Sequence, residues 1–279
     1  MRVVETKKLL QDLLNEQRML GKSIGFVPTM GALHMGHTAL VEKAVSENDV
    51  VIVSIFVNPT QFNNPNDLKT YPRMLEEDLR KCEQAGANII FVPTVEEIYP
   101  EPDTRIFDFG MLDKVMEGKH RPGHFNGVAQ VVSKLFDIVK PHRAYFGQKD
   151  FQQLAVIKKM VSMLGLDIQI VVHPTVREAD GLAMSSRNML LDPDQRKSAP
   201  LIAKTLHAAC SKKNKMSVQQ MIDWVVEEIN RDKQLNVEYF EIANADTLQS
   251  VHGWNECERL VACIAVQVGK VRLIDNILL

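Results

Sequence analysis

Charge of one sign, long apolar runs and paired cysteines are all scarce in this 279-residue chain. Lysine and arginine (33) nearly balance aspartate and glutamate (35), leaving a formal net charge of −2. A general nucleic-acid binder would usually show a strongly basic face, so that class is disfavoured, although a local cationic pocket is not. No apolar stretch approaches the roughly 20 residues needed to cross a bilayer. Residues Met1 to Gln11 are charged and amphipathic, without the apolar centre of a signal peptide. The four cysteines, Cys82, Cys210, Cys257 and Cys263, include no Cys-x-x-Cys pair and no metal spacing. They read as buried or idle thiols of a reducing compartment. The expectation is a soluble cytoplasmic protein with no nucleic-acid or membrane partner.

What is present is ample core material, 45% hydrophobic residues, enough for one large or two smaller domains. Through the first two-thirds, strand and helix patterns alternate. Strand-like runs fall at Ser23–Thr29, Val50–Val57, Asn88–Val92, Arg143–Gly147 and Asp167–Val172. Helical stripes run through Leu75, Leu79 and Cys82, then Val128 to Val139, then Leu154 to Leu164. Such alternation predicts an α/β fold, a Rossmann-like parallel sheet flanked by helices. From about Ala179 the order changes to helices at Pro193–Cys210 and Ser217–Arg231, then strands at Val237–Ile242, Leu260–Val268 and Val271–Leu278. This predicts a smaller α+β domain, with residues 1–178 forming the first unit and 179–279 the second.

Chemistry gathers where strands end. Pro28-Thr29-Met30-Gly31-Ala32-Leu33-His34-Met35-Gly36-His37 lies between a strand and a helix. A helix start offers unpaired amides and a positive dipole end to phosphates, and imidazoles can donate to triphosphate oxygens as charge develops. From spacing alone, one capping histidine and one surface histidine fit equally well. Asn58-Pro59-Thr60-Gln61 follows another strand and offers neutral amides to a hydroxylated substrate. Gly147-Gln148-Lys149-Asp150 runs into a helix carrying Gln153. Lys149 suits a phosphate, although a plain N-capped helix is also compatible. Asp180 to Asn188 holds two hydroxyls, Ser185 and Ser186, beside the cationic fork of Arg187; a capping loop is the alternative. Glu76-Glu77-Asp78 opens a helix, where acidic residues commonly complement the dipole. Lys212-Lys213-Asn214-Lys215 reads as a solvated turn.

His34-Met35-Gly36-His37 resembles the His-x-Gly-His signature of the nucleotidyltransferase superfamily, and Pro28 to His37 as a whole is similar to the pantothenate synthetase family. Ser185-Ser186-Arg187 resembles that superfamily's Lys-Met-Ser-Lys-Ser loop in a form without lysines. Phe146 to Gln153, Lys119 to Gly127 and Val271 to Asn276 also match the family, over essentially the whole chain. The resemblance implies an ATP-dependent joining of (R)-pantoate to β-alanine through an acyl adenylate, with Mg2+ accompanying ATP, in a homodimer. It implies His34, His37, Lys149 and Arg187 as catalytic groups, with His37 as proton donor. ATP would meet Met30, Gly31, Ala32, Leu33, His34, Met35, Gly36, His37, Gly147, Gln148, Lys149, Asp150, Val176, Met184, Ser185, Ser186 and Arg187. Pantoate would meet Gln61, Gln153 and Asn58, while Asp78 would hold magnesium, directly or through water. Arg121 and His124 carry no assigned role. The rivals are another nucleotidyltransferase and a nucleotide-sensing module without turnover.

Overall fold

Six consecutive buried residues, Val50–Ile55, form a strand covered on both faces, as a run that is β-branched at every position but Ser54 suits. The computed structural model describes residues 1–63 and 65–279. Contacts divide the chain into two units. The first holds Met1–Phe109, Arg121–Gln148 and Gln153–Pro174; the second holds Gly110–His120, Lys149–Gln152 and Thr175–Leu279.

In chain order the elements up to residue 173 are β1 (Arg2–Val4), α1 (Lys7–Met19), β2 (Ile24–Thr29), α2 (Met35–Glu47), β3 (Val50–Ile55), α3 (Pro65–Thr70), α4 (Leu75–Gln84), β4 (Ile89–Phe91), α5 (Val95–Ile98), α6 (Met116–His120), α7 (His124–Val139), β5 (Arg143–Gly147), α8 (Phe151–Met163) and β6 (Gln169–His173). Five strand pairings, all parallel, give the sheet order β1-β4-β3-β2-β5-β6. From β2 the chain passes outward through β3, then later returns to place β5 on the other side. The β2/β5 boundary is therefore the switch point of the sheet, where open α/β sheets place ligands beyond the carboxyl ends.

Alternation along β2 sends Val27 and Phe26 to opposite faces. Val27 joins Leu40, Val41 and Ala44 of α2 and Cys82 of α4 in one apolar cluster. Phe26 meets Phe136 of α7 edge-on, with ring centroids 6.3 Å apart. The expected sheet and flanking helices are thus present, together with elements the sequence reading passes over, among them β1, α1 and α5.

The second unit contains α9 (Pro193–Ser198), α10 (Pro200–Lys212), α11 (Val218–Asn230) and an antiparallel sheet of β7 (Leu235–Asn244), β8 (Leu260–Val268) and β9 (Val271–Leu278), in that order. The run expected as one helix from Pro193 to Cys210 breaks before Pro200, which sits at N1 of α10 and has no amide hydrogen to continue α9. The apolar faces of α10 and α11 pack on Leu260, Ala262, Ile264 and Val266 of β8. The segment Gly110–His120 belongs to this unit: Glu117 accepts from Tyr239 Oη at 2.8 Å and pairs with Arg272 at 2.7 Å. The unit therefore begins at Thr175 and takes two earlier segments, rather than consisting of 179–279 alone. Lys213–Lys215 is a short 3-10 turn, and Lys212 and Lys213 lie over the rings of Trp224 and Trp254.

Candidate functional site

The start of α2 is capped by the two histidines themselves. His34 is the N-cap, and its Nδ1 accepts the amide of Gly36 at 3.1 Å. His37, at N3, accepts the amide of His34 on its own Nδ1 at 3.2 Å. This is the reciprocal logic of a Ser-x-x-Glu capping box carried out by imidazoles. A neutral ring that accepts at Nδ1 carries its proton on Nε2, so the cap assigns both histidines the same tautomer. The rings lie 4.1 Å apart, centroid to centroid. The two sequence alternatives, capping and chemistry, are therefore compatible in one geometry.

The preceding turn is held from α4. Gly31 and Ala32 both have positive φ, +82° and +50°. A Cβ on Gly31 would crowd Asp78 at 3.0 Å and Ile55 at 3.2 Å, so glycine suits both the space and the conformation there. Asp78 accepts the amides of Ala32 at 2.8 Å and Leu33 at 2.7 Å. Three residues on, Lys81 donates to the Leu33 carbonyl at 2.5 Å and pairs with Glu77 at 2.7 Å. Burial raises the Asp78 pKa, against the lowering effect of these amide bonds. The sequence reading expects magnesium at Asp78. The structure instead engages both of its oxygens with backbone amides and leaves the residue only 1% exposed. Among the described residues, no group of three His, Cys, Asp or Glu side chains is arranged to hold a metal ion.

Beyond β3, Asn58 and Gln61 separate into two roles. Asn58 is 1% exposed. Its Nδ2 donates to Gln61 Oε1 at 3.1 Å and to the Gly127 carbonyl at 3.2 Å, while its Oδ1 accepts from Tyr99 Oη at 2.9 Å. Both amide hydrogens are thus bonded within the protein. It orients Gln61. The Gln61 Nε2 lies 3.0 Å from the sulfur of Met30, and the Gln61 backbone carbonyl meets His124 Nδ1 at 2.8 Å. Gln61 and Met30, expected as separate substrate and nucleotide contacts, are therefore neighbours. Gly127 permits the close approach of α7, since a Cβ there would overlap the Thr60 carbonyl. His124, Tyr99 and Lys81 carry no role in the sequence reading. For Lys81 a signal existed, because Glu77, Asp78 and Lys81 share one helix face.

Gly147 ends β5, and the Gln148 amide donates to the His173 carbonyl at 2.8 Å. Gln153 lies half-buried in the first turn of α8. In the second unit, Lys149 is half-buried and Asp150 exposed. Val176 and Met184 join two antiparallel legs, with the Met184 amide donating to the Val176 carbonyl at 3.0 Å. Ser185 then caps a 3-10 turn from Ser186 to Leu190, its hydroxyl accepting the Arg187 amide at 3.2 Å. Capping is thus realised here too, with Ser185, Ser186 and Arg187 all half-buried.

A parallel sheet with a histidine-capped helix start at its switch point defines the open α/β class that seats ligands beyond the strand ends. The comparisons specify the class further. The model of the Pantoate-beta-alanine ligase family matches residues 2–278. The pantothenate synthetase of Azobacteroides pseudotrichonymphae is 54% identical over 278 residues, 99% of each chain. That of Bacteroides fragilis (strain YCH46) is 53% identical over 277 residues, 99% of this chain and 98% of the relative. The crystal structure of pantothenate synthetase from Thermus thermophilus superposes with a TM-score of 0.93 at 43% identity, covering 99% of both chains. The Francisella tularensis ligase, complexed with β-γ ATP and β-alanine, superposes with a TM-score of 0.85 at 39% identity, covering 100% of this chain and 97% of the other. The chain belongs to the pantoate-β-alanine ligase family.

Proposed function

We propose that the chain condenses (R)-pantoate with β-alanine at the expense of ATP, giving pantothenate, AMP and pyrophosphate. Family membership over residues 2–278 supports the overall reaction. The structural observation that carries the mechanism is the reciprocal cap of His34 and His37, which puts a proton on Nε2 of both rings.

A carboxylate is a poor electrophile, so the acid is first activated. One pantoate carboxylate oxygen attacks the α-phosphorus of ATP, the bond to the bridging oxygen breaks, and pyrophosphate leaves. The amine of β-alanine then attacks the acyl carbon of the adenylate, AMP departs and the amine loses a proton. No protein nucleophile is needed; catalysis comes from positioning and charge stabilisation. His34 and His37 donate hydrogen bonds from Nε2 to phosphate oxygens as charge develops, each keeping its proton. Lys149, Ser185, Ser186 and Arg187 stabilise the phosphates. The backbone from Met30 to Gly36, with Gly147, Gln148, Asp150, Val176 and Met184, receives the nucleotide. Gln61 and Gln153 orient pantoate, Gln61 being set in place by Asn58 and His124.

Magnesium would accompany ATP as part of the substrate, since no described group of side chains is arranged to hold it, and its charge would ease the departure of pyrophosphate. The family resemblance also supports a homodimer working in the cytoplasm, which a sizing experiment and cell fractionation test. The decisive assay follows AMP with pantoate, β-alanine, ATP and Mg2+ while omitting each in turn. AMP that forms only with all four supports the ligase reading. A nucleotidyl group retained on the product, or ATP binding without pyrophosphate release, would overturn it.

A further inference from the structure

We propose that two adjacent residues of the edge strand β9, Asp275 and Asn276, are positioning residues for the phosphate-binding segments. Asn276 acts through Lys149, and Asp275 acts through Arg177 on the turn that carries Ser185, Ser186 and Arg187. The proposal rests on the phosphate roles given to Lys149 and Arg187 above.

Both side chains are buried, although their neighbours on the strand are mostly apolar: Leu273, Ile274, Ile277 and Leu278. Burying a polar group is costly unless it is bonded, so what these two bind explains their presence. Successive residues of a strand point to opposite faces, and these two reach two different segments. The Asn276 Nδ2 donates to the Lys149 carbonyl at 2.8 Å. Lys149 lies between the end of β5 and the start of α8, in a stretch that belongs to neither. An anchor on its backbone limits where the ammonium can swing.

Asp275 takes the Arg177 guanidinium as a fork, Nη1 at 2.7 Å and Nη2 at 3.1 Å, a geometry that fixes orientation as well as distance. Arg177 passes this on. Its Nη1 also donates to the Gly181 carbonyl at 3.1 Å, and its backbone bridges Ala183. The legs thus tied, 176–178 and 182–184, end at Ser185. The Asn188 side chain donates back to the Ala183 carbonyl at 3.1 Å, closing the turn against the same leg. The backbone N–H of Asn276 donates to Asp275 Oδ1 at 2.8 Å, which fixes the carboxylate against the strand at the neighbouring anchor.

Double-variant cycles on pantoate-dependent pyrophosphate release test the coupling. Asn276→Ala is expected to lower kcat/KM for ATP roughly tenfold, the scale of one lost hydrogen bond, while the KM for pantoate stays within about twofold. In a Lys149→Ala background the same change should have no further effect. Asp275→Asn should behave likewise against Arg187→Ala. If Asn276→Ala fails to fold by thermal melting, Asn276→Ser provides the milder removal of the amide. Losses that add fully in both backgrounds, or KM values that rise equally for both substrates, would overturn the coupling and leave the phosphate roles standing. If Lys149→Ala and Arg187→Ala keep full kcat/KM for ATP, the phosphate reading itself falls, and the positioning proposal with it.

Discussion

The Asp78 carboxylate accepts the amide of Leu33 at 2.7 Å across 45 residues of sequence, and it accepts the amide of Ala32 at 2.8 Å. Through this pair, helix α4 sets the path of the turn that leads into His34. Asp78→Ala leaves two buried amides without an acceptor, at about 1–3 kcal/mol each, offset in part by relief from burying a charge. A net loss of about 1–3 kcal/mol is expected by urea unfolding. Activity should fall while the magnesium concentration for half-maximal rate stays unchanged; a marked rise in that concentration would instead return the metal role to Asp78.

His37 serves both fold and chemistry, and two substitutions separate them. His37→Ala should lower pantoate-dependent pyrophosphate release by about two orders of magnitude or more, the scale for one lost transition-state donor. It should also cost about 1 kcal/mol of stability as a lost cap. His37→Gln restores a side chain that can reach the N-cap amide, so stability should recover while activity does not. Near-normal release by a folded His37→Ala protein would remove the residue from the mechanism.

Gln61 and Asn58 should differ in kind. Gln61→Ala is expected to raise the KM for pantoate at least about tenfold with little change for ATP, the loss of a hydrogen bond to a substrate hydroxyl or carboxylate. Asn58→Ala leaves Tyr99, Gly127 and Gln61 short of partners inside the protein. It should therefore lower the urea midpoint as well as pantoate use. Equal effects of Gln61→Ala on pantoate and ATP would contradict its assignment.

Asp103 should account for part of the acid sensitivity. Hydrogen bonding from Arg105, supported by Lys134, depresses its pKa from 3.8 to about 2. A depressed carboxylate contributes stability above the unfolded value and loses it as pH falls through the folded one. The window thus runs from pH 3.8 down to about 2. Asp103→Asn should flatten the decline of the urea midpoint across that window; an unchanged slope would show that the pair contributes nothing there.

The thiols divide by burial. Cys82 is enclosed, and burial pushes its pKa up to about 12, which suppresses the reactive thiolate. Cys210 and Cys257 are half-exposed. Burial also raises the Cys210 pKa, so a thiol reagent at neutral pH should modify Cys257 first in the native protein, Cys210 more slowly, and Cys82 only after denaturation, as peptide mapping would reveal.

The parallel sheet was legible because its central strand β3 is buried on both faces and reads as a long apolar run, with shorter strand-like runs recurring between helical stripes. Val50–Ile55 and Arg143–Gly147 begin where the sequence places them, and β8 and β9 match at both ends. The three-residue strand β1 offers no such run; its pairing with β4 decides it. The site was legible as motifs but not as partnerships. Nothing local distinguishes Asn58, which spends its amide on the protein, from Gln61 three residues later, because the difference lies in Gly127 and Tyr99. The same holds for Asp78, whose partners precede it by more than forty residues. Spacing locates side chains along the chain, whereas these roles depend on contacts made across it.

The segments Gly110–His120 and Lys149–Gln152 are stitched into the unit that otherwise starts at Thr175. A fragment cut at residue 175 would thus lack Glu117, leaving Arg272 with Glu238 as its remaining acidic partner and the Tyr239 phenol without its acceptor. Ribosomal synthesis meets the same condition in reverse order: those early pieces must wait, unhoused, until the last strand emerges. Expressing the carboxyl-terminal portion alone should give insoluble chains.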